Sequence, residues 1–235
     1  MKAKIFLVCA FIAVTGFFAF ASHRFKSREL NDVSIRFTGN NEPLISLKNV
    51  NKLLIQSKDT SEILILENLD LNKSEFRLVE NAMIRAAEVS VTLDGRLEAV
   101  VEQRKPIARI ISDYDQYLDE DNLLMPLSNE HTVRVPLIFG FEEKFQDDIY
   151  GLVNDLRSDT LLENAFSSIV IDKQKGYILI PRAYDYEVIL GSVKEQKQKL
   201  NKYKAFIAKM NRDKQLDKLK TVDLRYKKQV VTTKK

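Results

Sequence analysis

The sequence has few of the residues that build disulfides, metal centres and nucleophilic triads. Its 235 residues include one cysteine, two histidines and no tryptophan. Cys9 has no second cysteine to pair with, so the chain forms no internal disulfide even in an oxidising compartment. His23 and His131 cannot supply a histidine-based triad or a metal cluster by themselves. Stability must therefore come from packed apolar cores.

The sequence also lacks the short motifs of common enzyme families. It contains no Gly-rich phosphate loop, no G-x-S-x-G elbow and no C-x-x-C pair. The acidic run at residues 113–121 begins like a calcium loop, but Tyr117 occupies the third ligand position and the required glycine is absent. The carboxylate pairs at residues 142–143 and 147–148 could serve acid/base chemistry, but they more simply stabilise the start of a helix. We expect a non-enzymatic protein with no cofactor, no metal and no small-molecule substrate.

Composition indicates an ordinary globular chain with a basic excess. Hydrophobic residues make up 45% and charged residues 30%, and no Pro-, Gly- or Ser-rich block marks a disordered tail. The net charge is +4, and residues 194–220 hold many of the lysines. These lysines could bind an anionic surface, or they could form the solvated face of an amphipathic helix. Because no aromatic stacking set or nucleic-acid motif accompanies them, nucleic acid is not an expected partner.

An apolar run lies near the N-terminus. Residues 5–21 read IFLVCAFIAVTGFFAFA, seventeen residues without a charge, with basic residues on both sides. As a helix this run would span about 25 Å, at the lower edge of what crosses a bilayer core. The small-x-small pattern ending at Ala21 also fits a signal-peptidase site. The residues alone therefore leave a short membrane anchor and a cleaved signal peptide both open.

The pattern of residues 33–103 predicts a small α/β module. Apolar and polar residues alternate at 33–37, and apolar residues recur at helical spacing over 46–56 and 73–86. Two strand-like runs, 87–93 and 97–103, are joined by an Asp-Gly turn. The run 63–66 fits either a brief strand or a buried connection. The predicted order is strand, helix, helix, strand, strand, with a three-stranded sheet backed by two helices.

A second, β-rich module is predicted from Pro106 onward. Helical periodicity favours helices over 142–158 and 192–210. Apolar runs between turn residues predict short strands at 107–112, 116–119, 125–127, 133–139, 166–172, 177–180, 186–190, 221–226 and 229–232. The whole chain is therefore predicted to be α+β.

Several motifs together resemble the FtsQ/DivIB family of bacterial cell-division proteins, in the form typical of Bacteroidetes. Residues 102–110 read EQRKPIARI and are followed by YLD at 117–119, MPLS at 125–128 and VDLRY at 222–226. The run NAMIRAAEV at 81–89 is similar to the end of the signature helix in the family's POTRA module. The resemblance extends over nearly the whole chain.

The resemblance implies a layout and a location. Residues 1–4 would be a cytoplasmic tail, 5–21 a single transmembrane anchor, 22–32 a linker, 33–105 a POTRA-like domain and 106–235 a β-rich partner-binding domain. The protein would be a single-pass protein of the cell inner membrane at the division septum, with its N-terminus cytoplasmic and its other domains periplasmic. The rival expectation is a secreted periplasmic enzyme or binding protein released after Ala21.

The resemblance also implies partners and a docking strand. Small bitopic proteins of the FtsB and FtsL type, and through them other divisome components and septal peptidoglycan synthesis, would be recruited by strand addition at the C-terminal sheet edge. Tyr226 is the expected anchor, with Arg225 second and Val230 third. Lys228 and Gln229 complete the expected partner-binding set, at a place where the broader family carries a small or Asn/Gly pair.

Overall fold

The protein is mixed α+β and divides into two compact units. Its computed structural model describes residues 2–26, 32–39, 42–55 and 70–235. Over those residues it contains five α-helices and twelve strands. The first unit comprises Met1–Gln103 with Ser128–His131, and the second comprises Arg104–Leu127 with Thr132–Lys235.

Helix α1 (Lys2–Lys26) contains the uncharged N-terminal run. Large apolar side chains are exposed along it, among them Phe11, Phe17 and Phe18. Within the part of the chain that the structure describes, no helix meets the combined length and apolarity expected of a membrane span.

The first unit carries a three-stranded sheet. Its elements are β1 (Asp32–Phe37), α2 (Leu47–Ile55), α3 (Leu71–Val79), β2 (Ile84–Val91) and β3 (Arg96–Gln103). The strand order is β1-β3-β2, with β1 parallel and β2 antiparallel to the central β3. Alternate side chains of β3, namely Leu97, Ala99 and Val101, lie in the core. This period of two is what packs one sheet face against the helices and leaves the other more accessible.

The predicted second helix of this unit was too long. Helix α3 ends at Val79 and β2 begins at Ile84, so the predicted helix over 73–86 and the strand over 87–93 are both corrected. Asn81 makes the turn, because its side chain accepts the N–H of Met83 at 3.0 Å and its carbonyl accepts the N–H of Ile84 at 2.9 Å. The prediction for residues 63–66 lies outside the described residues.

The second unit is built on one nine-stranded sheet. Its strands are β4 (Pro106–Ile111), β5 (Gln116–Asp119), β6 (Leu124–Pro126), β7 (Leu137–Phe139), β8 (Phe166–Asp172), β9 (Gly176–Pro181), β10 (Glu187–Gly191), β11 (Leu219–Asp223) and β12 (Val231–Lys234). The order across the sheet is β12-β11-β10-β9-β8-β7-β4-β5-β6. Helices α4 (Gln146–Arg157) and α5 (Gln196–Arg212) contribute Leu152 and Leu200 to the core that the sheet shares. Each of the nine strands predicted for this unit therefore has a counterpart in the sheet.

Three predicted strands of this unit need new boundaries. The strand predicted over 133–139 is reduced to β7, because Pro136 has no N–H to donate and Val133 donates instead to the Tyr117 hydroxyl at 3.1 Å. The strand predicted over 221–226 ends at Asp223, and the one predicted over 229–232 is β12, from Val231 to Lys234.

A buried ion pair explains part of the RKP and YLD motifs. Asp119 is fully buried, and Arg104 Nε lies 2.9 Å from its Oδ2. The other carboxylate oxygen accepts the backbone N–H groups of Asp121 and Leu123 at 3.0 and 2.8 Å. These contacts fix the β5–β6 turn at the start of the second unit.

Candidate partner-docking edge

Strand β12 is one edge of the nine-stranded sheet. It pairs antiparallel with β11, with Asp223 opposite Val231 and Thr221 opposite Thr233. The Thr221 and Thr233 hydroxyl oxygens lie 2.6 Å apart, which adds a side-chain bond across the pair. The edge is therefore formed by a short strand that is tied firmly to its single neighbour.

The direction of the β12 backbone groups follows from two hydrogen bonds. Leu224 donates its N–H to the Ile189 carbonyl on β10 at 2.9 Å, and Lys235 donates its N–H to the Lys218 carbonyl at 2.9 Å. Backbone groups alternate in direction along a strand, so Val231 and Thr233 face β11. Thr232 and Lys234 therefore direct their N–H and C=O groups away from the sheet, where another strand could pair with them.

None of the five predicted docking residues lies on a strand. Arg225, Tyr226, Lys228, Gln229 and Val230 all belong to the connection between β11 and β12. Tyr226 is 49% exposed and is the large apolar side chain of this connection that faces solvent. Val230 is half-buried against the core of the second unit, whereas Lys228 and Gln229 are exposed. The structure thus brings the set together on one loop beside the edge strand.

Arg225 is held by Asp223 at the start of this connection. Its Nε lies 3.0 and 3.1 Å from the two Asp223 oxygens, its terminal NH2 group lies 2.7 Å from Oδ2, and its backbone N–H donates to Oδ1 at 3.0 Å. Burial acts to raise the pKa of Asp223, but the hydrogen bonds from Arg225 outweigh it and the pKa lies below its ordinary value. The forked geometry fixes the guanidinium rather than leaving it free to reach a partner.

The absence of a side chain at Gly191 leaves room for the Arg225 side chain. The Gly191 φ of 73° lies in the left-handed region, and an added Cβ would stand 2.7 Å from Arg225 Cγ. A side chain at residue 191 would therefore be strained in its own backbone and would displace the arginine.

Lys202 on α5 holds the same connection from the other side. Its Nζ donates to the carbonyl oxygens of Tyr226, Leu224 and Lys227 at 2.7, 3.3 and 3.4 Å. One ammonium group thus satisfies three backbone carbonyl groups in a connection that does not pair with a neighbouring strand.

Sequence reasoning missed four residues of this edge. Val231, 36% exposed, and Thr232 lie on β12 itself, within the strand predicted over 229–232 but outside the predicted docking set. Asp223 could have been linked to Arg225 by proximity in sequence. Lys202 lies more than twenty residues from the loop it binds, and no sequence pattern indicates that contact.

Away from β12, the described residues include the carboxylate–tyrosine pair of Asp148 and Tyr177. No group of three or more His, Cys, Asp or Glu side chains among them is arranged to hold a metal ion. Asp148 accepts the Tyr177 hydroxyl at 2.8 Å, and burial together with this bond raises the pKa of Tyr177. The Tyr177 hydroxyl therefore stays protonated, and its hydrogen bond to Asp148 links β9 of the sheet to α4.

Comparison with known proteins identifies the chain's relatives. The family model described as FtsQ/DivIB, C-terminal related, matches residues 105–233. The matched region includes the loop that binds Lys202 and all of the nine-stranded sheet except its last residue, Lys234. No curated protein matches the chain. Since the matched region is more than half of the sequence, the chain belongs to the FtsQ/DivIB C-terminal related family.

Proposed function

We propose that this protein is a non-catalytic scaffold of the bacterial divisome that captures small bitopic division proteins by strand addition at β12. Its family is one of generally non-enzymatic proteins, and membership indicates a role in cell division. The observation that carries the docking proposal is the outward direction of the Thr232 and Lys234 backbone groups at the sheet edge.

Strand addition suits this edge for two reasons. Backbone hydrogen bonds to an incoming segment supply affinity without requiring a particular sequence, and side chains beside the edge supply selectivity. Tyr226 and Val231 offer exposed apolar surface, while Lys227, Lys228, Lys234 and Lys235 keep the edge soluble in the absence of a partner. The partners we propose are FtsB-like and FtsL-like proteins, which would link this scaffold to septal peptidoglycan synthesis.

The first unit would act as a POTRA-like domain. Its strand, helix, helix, strand, strand order and its three-stranded sheet support this assignment. The proposed layout keeps residues 33–105 as this domain and 106–235 as the partner-binding domain. On the β2 side, the Val89 N–H already donates to Glu75 Oε1 at 2.8 Å, so β1 is the edge we assign to any further divisome contact.

We also propose that residues 5–21 anchor the protein in the inner membrane, with the N-terminus cytoplasmic and the two domains periplasmic. The uncharged run and its basic flanks support this part of the proposal. Alkaline extraction of membranes combined with N-terminal sequencing tests it. A retained chain that begins at Met1 or Lys2 supports the anchor, whereas a soluble chain that begins at Ser22 contradicts it and favours the secreted alternative.

The docking edge is tested by a proline that removes only an outward donor. Because the Thr232 N–H points away from β11, Thr232→Pro leaves the β11 ladder intact and deprives an incoming strand of one hydrogen bond. Full-length wild type, Thr232→Pro and the control Thr232→Ala are purified from native membranes, and bound proteins are identified by mass spectrometry. We expect small bitopic coiled-coil proteins with the wild type and the alanine variant and their loss with the proline variant. Equal recovery by a folded Thr232→Pro would rule out β12 as the docking strand.

A further inference from the structure

The second unit contains a cavity that the docking edge does not use. Its volume is about 330 Å³, and it lies between the C-terminal half of α5, the end of β9 and the connection to β10. Apolar walls come from Ala165, Pro181, Ile207 and Leu216, and Leu161 stands at the mouth with 69% of its surface exposed. This size and lining are typical of sites that accept a large apolar group.

Three tyrosines form the polar part of the cavity. The rings of Tyr184 and Tyr186 stack with centroids 5.9 Å apart and planes 24° apart. The hydroxyl oxygens of Tyr186 and Tyr203 lie 3.0 Å apart, and both residues are buried. The stacked rings provide a flat surface against which an apolar side chain can pack.

The hydroxyl pair has one more donor than it can use internally. Two phenol groups carry two O–H hydrogens, and one hydrogen bond between them uses one. Burial raises the pKa of both Tyr186 and Tyr203, so both stay protonated. Among the described residues, no acceptor for the second hydrogen is found beyond the pair itself. A buried donor of this kind favours an occupant with a carbonyl or similar oxygen.

The cavity adjoins the C-terminal end of β12. Asp185, between two of the cavity tyrosines, binds Lys235 Nζ at 3.1 Å. The Lys235 N–H bonds the carbonyl of Lys218, two residues after the cavity residue Leu216. An extended chain advances about 3.3 Å per residue, so a segment paired with β12 needs only a few more residues to reach this region.

We propose that the partner segment that pairs with β12 continues past the end of that strand and inserts one large apolar side chain into the Tyr184–Tyr186–Tyr203 cavity, with a backbone carbonyl accepting the spare hydroxyl. This inference rests on the proposed docking function and adds the partner's chemistry: an extended segment with an apolar anchor outside the paired strand. Lys204 lines the cavity but is already paired with Asp159, so its charge does not require an anionic group in the occupant.

Site-specific photocrosslinking in cells, with the full-length chain, tests the inference. The photoreactive residue p-benzoylphenylalanine is placed at Leu161, at Thr232 or at Ala205, an exposed position on α5 that does not line the cavity. We expect the Leu161 and Thr232 positions to crosslink the same protein through neighbouring peptides, and Ala205 to crosslink neither peptide. A Thr232 crosslink without one at Leu161, or with a different protein there, overturns the inference and leaves the docking edge in place. Absence of the Thr232 crosslink contradicts the proposed function itself.

A cavity-filling variant gives the second measurement. Ala208 lines the cavity and Ala205 does not, although both are exposed on α5. Ala208→Leu should reduce the affinity for the crosslinked partner by about tenfold, whereas Ala205→Leu should leave it unchanged, since removing one central anchor has effects of this order. Matching thermal unfolding of both variants shows that the fold is intact. Equal affinity of the two variants would overturn the inference.

Discussion

The Nζ atom of Lys202 donates a hydrogen bond to the carbonyl of Tyr226 at 2.7 Å. This contact joins the middle of α5 to the connection between β11 and β12, which has no ladder partner over residues 225–230. The backbone of the exposed Tyr226 is therefore held by a helix that packs in the core of the second unit. Under the proposed function, docking at the edge would therefore depend on Lys202, which does not itself face the partner.

Replacing Lys202 should loosen this connection without unfolding the unit. Lys202→Met keeps the apolar stem but removes hydrogen bonds to three carbonyls, so we expect a loss of about 1–2 kcal/mol in stability and weaker partner capture. Lys209→Met, an exposed change on the same helix, is the control. Hydrogen exchange of the amides in residues 225–230 measures the loosening. Unchanged exchange in Lys202→Met would show that the ammonium group does not hold the loop.

Asp223 should make stability depend on acidic pH in one direction. Its pKa is lowered in the folded protein, so its contribution is present above the unfolded value of about 3.9 and is lost as the pH falls through the folded value. The unfolding free energy of Asp223→Asn should therefore lie below that of the wild type at neutral pH, and the difference should shrink below about pH 4. Asp185→Asn, at a fully exposed carboxylate, is the control and should show little difference at any pH. A constant gap between Asp223→Asn and wild type across this range would contradict the ion-pair account.

A methyl group at Gly191 should be more harmful than one at another glycine with positive φ. Gly191→Ala combines an unfavourable backbone angle with a contact of 2.7 Å to Arg225 Cγ, and we expect a cost of about 2 kcal/mol or more. Gly39→Ala has a similar φ of 87° with nothing within 4 Å, so it should show only the backbone cost of about 1 kcal/mol. Chemical denaturation followed separately for each unit compares the two. Equal costs would mean that Arg225 moves aside freely.

Truncation of Tyr226 should affect binding and not folding. The side chain is 49% exposed, so Tyr226→Ala should leave the melting temperature nearly unchanged but weaken partner capture by about 2 kcal/mol if the ring is an interface anchor. Gln229→Ala, on the same exposed connection, should cost less than about 0.5 kcal/mol because rim contacts add little. Titration of the purified partner measures both. A similar loss of partner affinity in the two variants would show that Tyr226 is not the main anchor of the interface.

Local patterns predicted most elements, but not the contacts between distant ones. The alternation of Leu97, Ala99 and Val101 was sufficient to predict β3, and helical spacing around Leu200 predicted α5. The two adjacent valines at 230 and 231 fit either face of a strand, so the sequence could not show that Val230 turns inward before β12 begins. The Lys202 contacts and the cavity beside Tyr203 depend on the packing of α5 against distant segments, which no local period encodes.

The parallel pairing of β1 with β3 has a consequence for the order of folding. Strands β2 and β3 are joined by a tight turn in which Gly95 donates to the Thr92 carbonyl at 3.0 Å, so this hairpin can form from local contacts within microseconds. Strand β1 can join only when Asp32 meets Arg96, after a long loop has closed and its entropy cost has been met. Strand β1 should therefore be the last of the three strands of this sheet to gain protection in pulse-labelled hydrogen exchange. In a newly made chain, β1 stays unpaired with its sheet neighbour until β3 has been synthesised.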